Sequence, residues 1–187
     1  MEGIKSMRVR DVHLVNVANG HSKKKNEMQL VEFFHHIAAE HSLDNITFLC
    51  IGTDRSTGDA LGPLVGSQLM EYGIPHVVGS LAMPCDAGNL EERLAEVPSD
   101  HTIIAIDACL GQPTAIGSYF ISSEPLQPAQ SVGLNLPAVG DYSVAAVVNS
   151  NGPRPYWTLQ VTSLYQVMNM AQQISRSIMK GFGIINY

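Results

Sequence analysis

Residues 46–63 read ITFLCIGTDRSTGDALGP, and this stretch decides the fold class. Its first six residues are apolar or β-branched, which predicts a strand buried on both faces over 46–51. Apolar residues then recur at helical spacing after the glycine-containing loop, so we predict a helix over 60–72. Asp59 stands in the N-cap position of that helix, and Pro63 is tolerated because it falls in the first turn. A buried strand that leads directly into a helix is typical of α/β proteins.

The same alternation of strand and helix continues along the chain. Apolar periodicity and Gly or Pro boundaries predict further strands over 76–80, 102–106, 117–122 and 144–148, and helices over 27–41, 90–96 and 158–180. Residues 1–26 are an arm or carry an edge strand over 7–17, and residues 123–141 form a long surface loop rich in Pro and Gly. We therefore expect a single α/β domain over 1–187, with a mostly parallel sheet between two layers of helices.

Composition narrows the class of protein further. With 187 residues, 45% of them hydrophobic and 15% charged, the chain can bury an ordinary core. A formal net charge of −6 provides no basic field for nucleic acid, so we expect no nucleic-acid partner. We find neither a signal-peptide core nor a membrane-length apolar run, so we expect a cytoplasmic protein without a membrane partner. The three cysteines lack metal-type spacing, which favours neither a disulfide framework nor a zinc site.

Two aspartates follow predicted strands at the edge where open α/β sheets bind ligands. Asp59 belongs to the loop after the first central strand, and Asp107 follows the strand over 102–106. If these strands are neighbours, the two carboxyl groups face each other, and they either share a proton or hold a divalent metal between them. Either arrangement can activate water for hydrolysis. The structural alternative is an N-cap role for Asp59 and a turn-forming role for Asp107.

Other residues complete the candidate site. Asp54 and Arg55 either pair with each other or let Arg55 bind a substrate carbonyl or carboxylate. Gly58 and Gly62 would let a substrate backbone approach. Asp141 ends a Gly- and Pro-rich segment, 130–142, that we expect to wall the crevice, where Asp141 would serve as a third acid.

A cysteine nucleophile is a weaker alternative. Cys85 stands next to Asp86, but a catalytic cysteine needs a base, and the sequence identifies none. Cys50 and Cys109 fall in or beside the predicted buried strands, which is typical of core thiols.

Three segments together resemble the YyaC-type sporulation proteins of endospore-forming bacteria: GTDRSTGDALGP, IIAIDACLG and SVGLNLPAVGDYSVAAVVN. The resemblance spans residues 45–181. These proteins are similar to the germination protease that degrades small acid-soluble spore proteins, whose catalytic aspartates match Asp59 and Asp107. The resemblance implies a peptidase acting on a protein or peptide in sporulation or germination, within the forespore or spore core. Small acid-soluble spore proteins are the implied substrates, with no cofactor required.

The wider superfamily includes the hydrogenase maturation endopeptidases, which implies a phosphorylase/hydrolase-like fold. In those enzymes Asp59 and Asp107 match two nickel-contacting positions, and a later histidine supplies a third contact. This sequence has no histidine after His101, so the comparison with the germination protease fits better. The sequence leaves open two alternatives, a non-catalytic sporulation factor that binds a peptide or partner in the crevice and a metal-dependent maturation endopeptidase. It also leaves a homo-oligomer open.

Overall fold

The computed structural model of the chain describes residues 13–15, 23–128 and 136–185. Within these ranges the strands are β1 (His13–Val15), β2 (Ile46–Cys50), β3 (Val77–Val78), β4 (Thr102–Gly111), β5 (Tyr119–Ser122) and β6 (Tyr142–Ser150). The α-helices are α1 (Lys23–Glu40), α2 (Leu61–Glu71), α3 (Leu90–Ala95), α4 (Pro155–Gln160) and α5 (Leu164–Gly181). No helix in the described ranges is long and apolar enough to cross a membrane.

The six strands form one mixed sheet in the order β1-β5-β6-β4-β2-β3. The pairs β2–β3, β2–β4 and β4–β6 are parallel, whereas β5 pairs antiparallel with both β6 and β1. This arrangement confirms the predicted mostly parallel sheet flanked by helices. Residues 13–15 form an edge strand, as expected for part of 7–17; the rest of that segment lies outside the described residues.

The two faces of the sheet are covered unequally. Alternate residues of the central strands, including Phe48 and Ile106, pack with buried side chains of α1, α2 and α5 in the larger core. The opposite face carries Leu49 and Ala105, which pack in a smaller cluster with Leu90 of α3. Because strand residues alternate between faces, Asp107 shares the face of Ala105. Among the described residues, the buried side chains packed on that face come from the short α3 and from loop segments.

Two of the differences from the predicted elements change the surroundings of the site. Strand β4 continues to Gly111 instead of ending at residue 106, because β6 runs beside it and pairs Asp107 with Ala145. A register shift between Cys109 and Leu110 accompanies this extension. The last predicted helix is two helices, α4 and α5, because the chain breaks between them and the Ser163 hydroxyl caps α5 by accepting the Gln166 N–H at 3.4 Å.

Candidate active site

The site lies where β2 leaves the sheet. The last register pair between β2 and β4 joins Cys50 to Ile106, and the Ile51 N–H then donates to the Ile106 carbonyl at 2.8 Å. Gly52 turns the chain with a φ of 141° and donates its N–H to the Cys85 carbonyl at 2.8 Å. Asp107 is therefore the first residue of β4 beyond its ladder with β2, at the carboxyl edge of the sheet.

The loop that carries Asp59 folds back onto this same point. The Thr53 N–H donates to the Asp59 carbonyl at 3.2 Å, and the Ala60 N–H donates to the Ser56 carbonyl at 3.0 Å. Asp59 is thus anchored to residue 53, while Ile106, the neighbour of Asp107, is anchored to Ile51. The chain segments that carry the two aspartates are consequently both hydrogen-bonded to the tripeptide 51–53, at the carboxyl edge of the sheet.

Asp59 is not the N-cap of α2, contrary to the sequence prediction. The helix begins at Leu61, and its N-cap position is Ala60, which makes no side-chain cap. Burial raises the pKa of the Asp59 carboxyl above its usual value, and the nearby Ser56 hydroxyl partly opposes this shift. That hydroxyl is buried, and no described group meets hydrogen-bond geometry with it. The protein therefore holds Asp59 towards its neutral form.

Asp107 has a different environment. It lies within β4 and is partly buried, and its Oδ1 accepts the Ala108 N–H at 2.8 Å. Burial raises the pKa of Cys109 to about 12, and the charge of Asp107 adds to this shift. Burial also raises the pKa of Cys85 to about 11, where Asp107 is one of several charges that contribute. Both thiols are therefore protonated near neutral pH. This argues against Cys85 as the nucleophile, because the reactive form of cysteine is the thiolate.

Arg55 pairs with Asp86 and not with Asp54, so of the two alternatives for Arg55 the ion pair within the loop is wrong. Its guanidinium Nη2 lies 2.6 Å from Asp86 Oδ2, and its Nε donates to Thr53 Oγ1 at 3.1 Å. Asp86 is held in turn because its Oδ1 accepts the Gly88 N–H at 2.8 Å. Arg55 joins the two loops at the rim while 77% of its side chain stays exposed, and Asp54 is exposed beside it.

The two glycines predicted to admit a substrate backbone are occupied by the protein's own chain. A Cβ at Gly58 would lie 2.8 Å from the Leu159 side chain, and the Gly58 N–H donates to the Leu159 carbonyl at 2.8 Å. A Cβ at Gly62 would lie 2.0 Å from the Ile51 carbonyl oxygen. Gly58 thus lets α4 dock on the loop, and Gly62 lets α2 pack closely against the end of β2.

Asp141 does not join the pair. It precedes β6, and its Oδ2 accepts the Ile103 N–H at 2.8 Å, beside the start of β4. Four residues separate Ile103 from Asp107, which is about 13 Å along a strand at roughly 3.3 Å per residue. Asp141 therefore lies at the opposite, amino-terminal edge of the parallel strands. In the expected crevice wall over 130–142, residues 130–135 lie outside the described ranges, and Val139 is buried against Ala105.

Sequence reasoning missed Ser56 and Asp86. Ser56 belongs to the same quoted loop as Asp59 and lies one helical turn before it, a spacing that places two side chains on one side of a turn. Asp86 follows the carboxyl end of β3, so the rule that selected Asp107 would also have selected it. Among the described residues, no three His, Cys, Asp or Glu side chains are grouped so that they could hold a metal ion.

Comparison with known proteins identifies the family. A Bacillus subtilis (strain 168) protein, described as "Uncharacterized protein YyaC", is 42% identical over 138 residues, which cover 71% of this chain and 67% of that protein. A [NiFe] hydrogenase maturation protease, HycI from Thermococcus kodakarensis KOD1, is 19% identical with a TM-score of 0.44, over 72% of this chain and 92% of that chain. Residues 18–177 match the family model described as "Protein of unknown function (DUF1256)". The resemblance to YyaC-type proteins is thus confirmed, and the chain belongs to the family described as protein of unknown function (DUF1256).

Proposed function

We propose that this protein is a peptidase that uses Asp59 and Asp107 to hydrolyse a peptide bond of a protein or peptide substrate. The observation that carries the proposal is the contrast between two carboxyl groups whose chain segments are both hydrogen-bonded to one tripeptide, 51–53. Asp59 has a pKa raised by burial, while Asp107 accepts a backbone N–H. Acid–base catalysis needs one group that can donate a proton and one that can accept it, and unlike environments provide them.

The proposed reaction follows from these roles. The Asp107 carboxylate takes a proton from water as the water oxygen bonds to the scissile carbonyl carbon, and neutral Asp59 donates its proton to the carbonyl oxygen. The tetrahedral diol then returns a hydroxyl proton to Asp59. Asp107 gives its proton to the leaving nitrogen as the carbon–nitrogen bond breaks. The products are a carboxylic acid and an amine, and both aspartates regain their starting protonation states.

The biological role proposed here comes from the resemblance to germination-protease-like proteins. We propose that the protein acts in sporulation or germination, in the forespore or spore core, with small acid-soluble spore proteins as candidate substrates. The likeness to YyaC over most of the chain supports this direction. Arg55 remains a candidate substrate contact, because its side chain is largely exposed at the rim of the site.

The test is a cleavage assay on purified full-length protein with small acid-soluble spore proteins, read by intact-mass spectrometry between pH 4 and 8. We expect cleavage by the parent protein, and its loss in Asp59→Asn and in Asp107→Asn. Asp100→Asn is the control, because this exposed aspartate precedes β4, at the opposite edge of the sheet, and should leave cleavage unchanged. A parallel arm with a chelator tests whether a divalent ion bridges the two carboxyl groups.

Two results would contradict the proposal. If both Asn variants cleave at the parental rate, the two-aspartate site is not catalytic. If the parent cleaves none of the spore proteins across the pH range, a non-catalytic sporulation factor that binds a peptide or partner becomes the better description. The exposed aromatic side chains of α4, a helix that contacts the Asp59 loop through Leu159 and Gly58, favour the binding factor.

A further inference from the structure

Helix α4 and the first half of α5 carry a dense set of exposed large apolar side chains. Each has between 49% and 78% of its surface exposed, and together we call them the docking face: Tyr156, Trp157, Val161, Leu164, Tyr165 and Met168. Single exposed apolar residues are ordinary, whereas a large contiguous set marks a binding surface. Trp157 and Val161 lie four residues apart, as do Leu164 and Met168, so each pair occupies one side of a helical turn.

The helix that begins this face is fixed to the rest of the protein. Leu159 of α4 is 2% exposed and accepts the Gly58 N–H. The Asn149 amide donates to Thr162 Oγ1 at 3.2 Å, which ties the turn after α4 to β6. The aromatic side chains therefore stand on a fixed support, which reduces the entropy lost on binding. The Gly58 contact also places α4 against the loop that carries Asp59.

A groove adjoins the docking face at Tyr165. Its volume is about 320 Å³, and its walls come from α5 and from the segment before β5, including Ile116, Gly117 and Asn169. No charged residue within the described ranges lines it. A groove of this size between an aromatic ring and an aliphatic side chain can accept an apolar side chain of a partner.

The two helices that carry the docking face hold basic residues and no acidic ones. All 17 acidic residues of the chain precede Tyr142, so both helices are free of acids, although the whole chain carries a net charge of −6. Arg154 is exposed immediately before α4, and Arg176 is exposed on α5, two helical turns beyond Met168. The apolar face therefore lies between two arginines.

This charge pattern decides between two kinds of occupant, a second copy of the chain and a different protein. In a two-fold dimer the face would meet itself, so its arginines would find no acid from the same helices of the other copy. A partner with acidic residues on both sides of an apolar segment would match both the apolar surface and the arginines. Electrostatic complementarity thus favours an acidic partner over a second copy.

We propose that the docking face binds an acidic segment of a protein partner, with apolar side chains against Trp157 and Tyr165 and carboxylates beside Arg154 and Arg176. The proposal does not depend on catalysis by the aspartate pair. It assigns to this surface the selection of the partner, whether or not that partner is cleaved.

The test uses Trp157, which is the only tryptophan of the chain. Two synthetic helical peptides serve as probes. In the first, helical turns of Leu alternate with helical turns of Glu, and the second has the same sequence with Lys in place of every Glu. The Leu–Glu peptide should shift Trp157 emission to shorter wavelength in a saturable way, and the Leu–Lys peptide should not. Tyr165→Ser should weaken binding at least tenfold, as should the double variant Arg154→Glu, Arg176→Glu. Tyr72→Ser is the matched control, because Tyr72 is 49% exposed at the end of α2, outside the docking face.

Two outcomes would overturn this inference. The first is that the peptides bind equally, or that neither shifts the emission. The second is a dimer in sedimentation velocity that Tyr165→Ser dissociates, which would assign the face to a second copy. Asp107→Asn should keep peptide binding in full, so failure of the docking proposal is distinguishable from failure of the proposed peptidase.

Discussion

The α-carbon of Gly52 lies against the backbone carbonyl of Asp59, so closely that a Cβ on Gly52 would stand 2.0 Å from the carbonyl oxygen. Gly52 also has a φ of 141°, a backbone conformation that residues with side chains rarely adopt. The position of Asp59 thus depends on a glycine at the end of β2. Through this contact the end of β2, the turn at Gly52 and the acidic loop pack together as one continuous segment.

Gly52→Ala should therefore damage both stability and the site. The added methyl group must displace the Asp59 carbonyl or distort the turn, and strain of this kind costs about 1–3 kcal/mol. We expect a lower urea midpoint and reduced cleavage activity. Gly73→Ala is the control, because Gly73 has a φ of 78° but a Cβ there would meet no atom of the described residues within 4 Å. Equal losses in the two variants would show that the contact with Asp59 is unimportant.

The raised pKa of Asp59 predicts how stability depends on pH. The folded state holds the Asp59 proton more tightly than the unfolded state, whose carboxyl titrates near its usual value of 3.8. The native state is thus favoured below that pH, and this advantage declines as pH rises through the window up to the raised folded pKa. Asp59→Asn has no such loss, so its stability relative to the parent should increase across the window.

Urea unfolding of both proteins at a series of pH values measures this difference. Asp54→Asn serves as the control, since Asp54 is exposed in the same loop. A difference between Asp59→Asn and the parent that stays constant from acid to neutral pH would count against a raised pKa for Asp59.

Ser56→Ala should raise the pKa of Asp59 further, because the Ser56 hydroxyl favours the charged carboxylate. Carbon NMR of the Asp59 carboxyl group can follow this titration without any substrate. If Asp59 is the general acid, the alkaline limb of kcat/KM should move to higher pH in the variant. Ser56→Thr keeps a hydroxyl and should restore the parental titration. An unchanged Asp59 titration in Ser56→Ala would remove Ser56 from the site.

The sequence was sufficient for the central elements because their signals are local. The apolar run of β2 and the helical periodicity of α2 do not depend on distant partners, and both elements lie within a residue of the predicted ends. The extent of β4 was wrong because the apolar run that predicted the strand ends at residue 106, before Asp107. Its position within the strand depends on pairing with β6, some forty residues later, which no local pattern reports.

The site residues show the same limit. Arg55 pairs with Asp86, 31 residues away, and not with its neighbour Asp54. Asp141 was assigned to the wrong edge because it precedes a strand, and a residue before a parallel strand lies at the opposite edge from one that follows it. Gly58 was assigned to substrate because the docking of Leu159 could not be foreseen from sequence. Local pattern therefore identified the two aspartates, whereas their surroundings required the fold.

Asp107→Asn separates a catalytic role from a structural one. Asparagine keeps the size of the side chain and an oxygen that can accept the Ala108 N–H, so the observed hydrogen bond survives while charge and basicity are lost. A catalytic Asp107 should then lose nearly all turnover with little change, or a rise, in the free energy of unfolding, because functional acids are often held at a cost in stability. An Asp107 whose carboxylate is needed as an acceptor for a second buried donor should instead lose about 1–3 kcal/mol, since the amide presents a donor there.

Urea unfolding and the spore-protein cleavage assay on the same preparation measure both quantities. A variant that melts markedly lower and cleaves at the parental rate would show that Asp107 supports the fold and takes no part in hydrolysis.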